Sequence, residues 1–283
     1  MTAKFLRTAD ALASLRSEID SGIGPVLYPV GIDALSHIEA GPGRVLLLGG
    51  APGAGKTAFV MQAAVDALRM TPTLRVLVCN VEMSVRVLIE RQLARLSGVD
   101  LNTIRFRKFE AEHKGRLSGG FAALASVAER LAFVDAPYTL KHVAECADAF
   151  GANMILLDYI QRIAPGDNTK HDTKRGLIDS SMSLIRRIAD CERAVFVVSA
   201  VSRGKDSKGR ASYASLGLAS FRESSELEFA ADDAFILEPA DMGLTTLRHL
   251  KARHSEPRDL SLKFQKATQQ FSPITPTQSK GAA

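Results

Sequence analysis

From residue 44 onward the chain alternates short, almost uniformly apolar runs with longer stretches whose apolar positions recur every three or four residues. The short runs predict strands buried on both faces, over 44–48, 75–81, 131–134, 153–158, 194–199 and 233–237. The longer stretches predict helices over 56–69, 84–96, 120–130, 140–150 and 176–191. Strands alternating with helices are the mark of an α/β domain, a mostly parallel central sheet flanked by helices. The alternation breaks near the end, where 245–253 and 260–265 flank the turn-like Ser255-Glu256-Pro257-Arg258 and predict an antiparallel pair. No internal repeat interrupts this order.

Ahead of the domain, Phe5, Leu12, Leu15 and Ile19 share a helical face opposite Arg7, Asp10 and Glu18. A lone amphipathic helix must bury that stripe, either against its own domain or against a neighbouring subunit. Residues 21–29, rich in Gly and Pro, read as a linker, and the tail from Ser272 reads as flexible. The expected organisation is therefore an arm at 1–25, one domain at 26–271 and a tail at 272–283.

Composition changes this picture little. The 283 residues are 46% hydrophobic and 24% charged, which suits one large core. No apolar run approaches the ~20 residues of a membrane span, and the N-terminus has no signal-peptide core. Cys79, Cys146 and Cys191 are scattered in largely apolar surroundings and read as reduced core thiols, so the expected location is the cytoplasm. The net charge of +5 permits a polyanionic partner without requiring one.

The chemistry concentrates at 49–59, Gly-Gly-Ala-Pro-Gly-Ala-Gly-Lys-Thr-Ala-Phe, between a predicted strand and a predicted helix. Gly50, Gly55, Lys56 and Thr57 fill the fixed positions of the Walker A pattern, with Ala51, Pro52, Gly53, Ala54 and Ala58 completing the loop and helix start. Small residues let successive backbone N–H groups face one point, at the positive end of the following helix, which makes an anion site for nucleotide phosphates. Lys56 is the expected contact of the β and γ phosphates of ATP, and the Thr57 hydroxyl the expected ligand of Mg²⁺. The alternative, a Gly-rich turn that binds nothing, leaves a lysine between Gly and Thr with no packing reason.

Asp158 ends an apolar strand, as a Walker B acid does, and from the carboxyl end of a parallel strand it faces the crevice where ligands bind. Glu82, just past another strand, is placed either to deprotonate the attacking water or simply to favour a helix entry through its dipole. The 199–223 stretch carries Arg203, Lys205, Lys208 and Arg210, and a second basic loop carries Lys170, His171, Lys174 and Arg175. Together they form either an electrostatic track for a phosphodiester backbone or a solvated surface. Only Tyr213 and Phe221 are aromatic in the first loop, which favours backbone contact over base stacking. Lys251 and Arg253, two apart on a strand, are either exposed cations of no special role or groups offered to a nucleotide on the next subunit.

In their order and spacing these motifs resemble the C-terminal motor domain of DnaB-type replicative helicases, which has the RecA-like fold. The resemblance spans about 26–271 and rests on Gly-Ile-Asp-Ala-Leu (31–35), the Walker A loop, Val-Glu-Met-Ser (81–84), Leu-Asp-Tyr-Ile-Gln (157–161), Phe-Arg-Glu-Ser (221–224), Glu-Phe-Ala-Ala-Asp (228–232) and Lys-Ala-Arg (251–253). It implies that Glu82 is the catalytic carboxylate, Asp158 the metal-associated acid, and Lys251 with Arg253 the pair offered in trans. It places Arg91 near the nucleotide base, and Arg222, Glu223 and Ser224 in the loop that touches single-stranded DNA. The arm then matches a linker helix that docks on the adjacent motor. Two positions depart from the family: Ala200 stands where a Gln follows Ser, and Ser225 where a Gly follows Arg-Glu-Ser. Only the short arm precedes the motor, so a plasmid-type or phage-type short helicase, or a motor whose collar comes from another protein, is expected. The implied activity is that of a ring-forming, hexameric, Mg²⁺-dependent ATPase that moves along single-stranded DNA, with a loader or primase as possible partner. A RecA-like ATP switch that binds without unwinding is the alternative, and a strand-exchange recombinase fits the Arg-Glu-Ser and Lys-Ala-Arg matches less well.

Overall fold

The computed structural model describes residues 7–166, 174–201, 204–205, 211–212, 216–221 and 226–274. Its centre is a nine-stranded sheet built from β1 (Val45–Gly50), β2 (Val76–Asn80), β3 (Leu131–Phe133), β4 (Met154–Asp158), β5 (Ala194–Val198), β8 (Asp233–Pro239), β9 (Leu244–Ala252), β10 (Leu260–Gln265) and β11 (Gln270–Pro273). Across the sheet the order is β11-β10-β9-β8-β1-β5-β4-β2-β3, parallel from β8 to β3 and antiparallel from β8 to β11. A separate two-residue ribbon pairs β6 (Gly204–Lys205) with β7 (Ala211–Ser212).

The apolar runs form strands because both faces of the sheet are covered. Alternate residues of β1 feed two cores, Leu46 and Leu48 on the side of α2 (Lys56–Met70), Val45 and Leu47 on the side of α6 (Leu140–Phe150) and α7 (Lys174–Ala189). Helix α2 is buried nearly all round, between the sheet and the C-terminal strands, which explains its apolar composition.

The expected strands recur to within a residue or two, whereas the 120–130 helix does not. The helix there is α5 (Ala111–Ala125), nine residues earlier, preceded by α4 (Leu101–Arg105), and only a 3₁₀ turn follows at Ala128–Arg130. Helix α5 packs a thin stripe, Leu117, Gly120 and Leu124, against α3 (Val85–Ser97). Its first two turns are polar enough to hide the helical period. A Cβ on Gly120 would lie 2.9 Å from Ser97 Cβ, so the glycine permits the close approach of the two helices. Strand β11, absent from the periodicity reading, lies where a tail was expected to begin. Among the cysteines, Cys79 is buried as expected but Cys191 is exposed at the helix end.

The arm forms α1 (Thr8–Asp20), none of whose residues is buried; Leu12, Leu15 and Ile19 are 59%, 51% and 67% exposed. It does not fold back on its own domain. Among the described residues, no helix is long and apolar enough to cross a membrane.

Candidate nucleotide site

The parallel strands all end on one side, and there the loop between β1 and α2 meets the ends of β2, β4 and β5. Gly53 and Gly55 have φ of +77° and +91°, backbone that side-chain-bearing residues rarely adopt. A Cβ on Gly55 would also sit 2.9 Å from Phe271 Cζ, so the loop is pressed against the C-terminal hairpin. The loop borders a cavity of about 510 Å³, within the usual size of small-molecule sites. Pro52, Gly53, Gly55, Lys56, Thr57 and Ala58 form one wall, and Glu82, Met83, Arg91, Asp158, Tyr159 and Ala200 another. Phe264, Lys266 and Gln269 close it from the hairpin between β10 and β11. Gly50, Ala51 and Ala54 complete the turn behind the wall, through a hydrogen bond from Ala54 N to Ala51 O.

Lys56 Nζ donates to Gly50 O at 2.8 Å and Ala51 O at 3.0 Å. Burial lowers its pKa, opposed by the charges of Asp158 and Glu82. Thr57 Oγ1 donates to Asp158 Oδ2 at 2.6 Å, and Asn80 Nδ2 donates to the same oxygen at 2.7 Å. Burial pushes the Asp158 carboxyl up, while the Thr57 bond, the Lys56 charge and the Asn80 bond pull it down. Arg91 Nε is buried without a hydrogen-bond partner, and burial lowers the pKa of its guanidinium. An orphaned guanidinium N–H and a buried lysine at the cavity wall suit a polyanion. The paired oxygens of Thr57 and Asp158 are the hard donors a Mg²⁺ ion takes.

Glu82 lines the cavity and precedes the N-cap of α3, Ser84, by two residues. It therefore lies outside the first helical turn, where a dipole-favoured entry acid would sit. Ala200 also borders the cavity, with a methyl group only. Beside it, Gln161 donates from Nε2 to Ser199 Oγ at 2.8 Å and accepts from Ala200 N at 3.1 Å. Phe264, Lys266 and Gln269, which line the cavity, and Asn80 and Gln161, which bond to Asp158 and Ala200 of its wall, were given no role by sequence reasoning. For Asn80 the available signal was an amide at the end of an otherwise apolar strand.

Lys251 and Arg253 stand at the other end of the sheet from their own loop. Asp232 N donates to Val45 O and Arg253 N to Asp232 O, which puts Arg253 beside the start of β1, whereas the loop follows its end. Six strand residues, roughly 17 Å, separate the two. Arg253 is half-exposed, with Nη1 2.7 Å from Asp232 Oδ1 and Nη2 donating to Phe229 O; Lys251 Nζ donates to Ala231 O at 2.7 Å.

Of the expected DNA contacts, Arg203, Lys208, Arg210, Arg222, Glu223 and Ser224 lie outside the described residues, as do Lys170, His171 and Tyr213; Lys205 is placed only as part of β6. Lys174 and Arg175 open α7 and do not extend a loop. Phe221 is 3% exposed and packed where a Cβ on Gly49 would be, 2.6 Å from its ring, so it offers no stacking surface.

Solved structures share this fold, and two illustrate it. One, solved as an ATPase domain, superposes with a TM-score of 0.82 at 21% identity, over 96% of this chain and 100% of that one. The other, a DnaB-like replicative helicase studied with its interactions with primase, gives a TM-score of 0.80 at 21% identity, over 96% of this chain and 68% of that one. A sequence search of curated proteins finds no match. The family model for the DnaB-like helicase C terminal domain matches residues 29–273, nearly the whole chain. With the RecA-like sheet and a Walker A loop at its crevice, the chain thus belongs to the DnaB-like helicase C-terminal domain family, whose members are ATP-hydrolysing helicases.

Proposed function

We propose that the chain is the motor of a ring, hexameric by family resemblance, that hydrolyses ATP between subunits and moves along single-stranded DNA during replication, in the cytoplasm. One observation carries this reading. The phosphate loop and the cations Lys251 and Arg253 occupy opposite ends of one sheet, so each subunit holds one wall of a site and the complement of another.

Within such a site Lys56 and the loop amides bind the phosphates, and Arg91 lies along the base side. Thr57 and Asp158 would hold Mg²⁺, which when bound neutralises phosphate charge and aligns the oxygens. Glu82 accepts a proton from the water whose oxygen attacks the γ phosphorus as the bond to the β-bridging oxygen breaks. Arg253 and Lys251 of the next subunit stabilise the charge that develops on the transferred group. The basic segment with Arg203, Lys205, Lys208, Arg210, Arg222, Glu223 and Ser224 contacts the DNA backbone, α1 docks on the adjacent subunit, and a primase or loader is the expected partner.

Arg253→Ala is expected to lower DNA-stimulated hydrolysis by about 10³-fold or more, the scale of an arginine supplied in trans, with nucleotide binding within about threefold of wild type. Mixing Arg253→Ala with Lys56→Ala subunits restores part of the activity, because mixed interfaces carry both residues. Full activity of a dilute monomer would sink the shared site. A nucleotide switch that hydrolyses slowly without unwinding is the second reading, favoured by the bare methyl of Ala200 at the cavity. Strand displacement on a forked DNA with ATP separates the two.

A further inference from the structure

Asn80 connects two acids of the site. It is the last residue of β2 and lies in register with Asp158 on the neighbouring parallel strand. The side chain is 7% exposed and its acceptor and one donor direction are used. Oδ1 accepts from Glu82 N at 3.0 Å and Met83 N at 2.7 Å, closing the turn that carries Glu82, while Nδ2 donates to Asp158 Oδ2 at 2.7 Å. We propose that Asn80 is a positioning residue that sets Glu82 and Asp158 at a fixed separation across the strand ends.

The chemistry of the side chain suits this and no simpler task. A turn cap needs only an acceptor, which serine or aspartate supplies equally well. The second bond needs an uncharged donor beside Lys56 and Asp158, and an amide carries it on a separate atom from the acceptor, so that the turn and Asp158 are reached at once, whereas a hydroxyl has both functions on one oxygen. Thr57 and Asn80 share Asp158 Oδ2. Once the Thr57 hydroxyl turns to another partner, Asn80 remains as the side-chain donor that orients the carboxylate. Groups in this position behind a metal-binding acid set ligand orientation, and their loss costs about 10–100-fold in metal affinity or activity.

This inference rests on the hydrolytic reading of the site. Its test therefore includes binding readouts that do not need turnover. Full-length Asn80→Ala and Asn80→Ser are compared with wild type for melting temperature, for kcat and KM of ATP hydrolysis, for affinity of a fluorescent ATP analogue in chelator, and for the Mg²⁺ concentration that half-saturates the metal-dependent change in its fluorescence. Expected for Asn80→Ala is a kcat about 10–100-fold lower, a Mg²⁺ requirement about tenfold or more higher, and metal-free analogue affinity within about threefold. Serine keeps the turn acceptor but not the reach to Asp158, so Asn80→Ser recovers part of kcat and keeps the raised Mg²⁺ requirement. A wild-type Mg²⁺ requirement in Asn80→Ser overturns the proposal, and Asn80→Ser carries the test if the alanine variant does not fold. A wild-type chain that binds the analogue but does not hydrolyse ATP refutes the motor reading, while the Mg²⁺ titration still decides on Asn80.

Discussion

Asp232 shows how much one residue carries at the end of the sheet remote from the nucleotide. It is 2% exposed and accepts from Val45 N at 2.8 Å, from Arg186 at 2.6 Å and from Arg253 at 2.7 Å. Burial alone would raise its pKa, but the Val45 amide and the two guanidiniums outweigh it and hold the carboxyl below its ordinary value. A depressed carboxylate contributes stability that is present above the unfolded value and lost as pH falls through the folded one. Asp232→Asn is therefore expected to cost about 1–3 kcal/mol at pH 7, with the gap closing as pH drops below about 4. Urea unfolding of both proteins at pH 7 and pH 3 measures it; a gap as large at pH 3 as at pH 7 would show that charge is not the cause. Asp232 was readable as part of the acidic 228–232 run, but its two arginine partners, 46 and 21 residues away, were not.

At the scale of elements, the contact that shapes the site is that of α2 with β11. Gln62 donates to Phe271 O and accepts from Phe271 N, both at 2.8 Å, and the Phe59 ring meets Phe271 edge-on at 5.4 Å. Phe264 stacks on Phe271 with ring centroids 4.2 Å apart, so the helix that follows the phosphate loop is tied to the hairpin that closes the cavity. Gln62→Leu leaves a buried N–H and C=O unpaired, and the expected cost is about 1–3 kcal/mol. It appears as a lower denaturant midpoint at unchanged slope, together with weaker nucleotide binding. Unchanged affinity would separate the hairpin from the site. Helix α2 was plain in the sequence, because its residues are apolar on almost every face. Strand β11 was not, because four residues with polar neighbours carry little periodicity and owe their structure to β10 and Gln62.

For the whole molecule, α1 contributes no buried residue to the core. Since no residue of α1 is buried, deletion of residues 1–20 is expected to leave the melting temperature of the dilute monomer within about 2 °C, a change of about 1 kcal/mol or less. The same deletion is expected to reduce oligomerisation, read by sedimentation or light scattering with nucleotide present. Intact rings without the arm would overturn its docking role. The apolar stripe was legible from residue spacing, whereas its exposure along the whole of α1 was decided only by the tertiary structure.

The sequence by itself determined the alternation of strands and helices, the phosphate loop and the acids at strand ends, since these depend on local pattern and on residue types with few other uses. The tertiary structure alone decided that Asn80 and Thr57 meet on one oxygen of Asp158, that Phe264, Lys266 and Gln269 reach the same cavity, and that Arg253 stands away from its own phosphate loop. Those are relations between residues far apart in the chain, and they arise from strand order and register, which determine which side chains become neighbours.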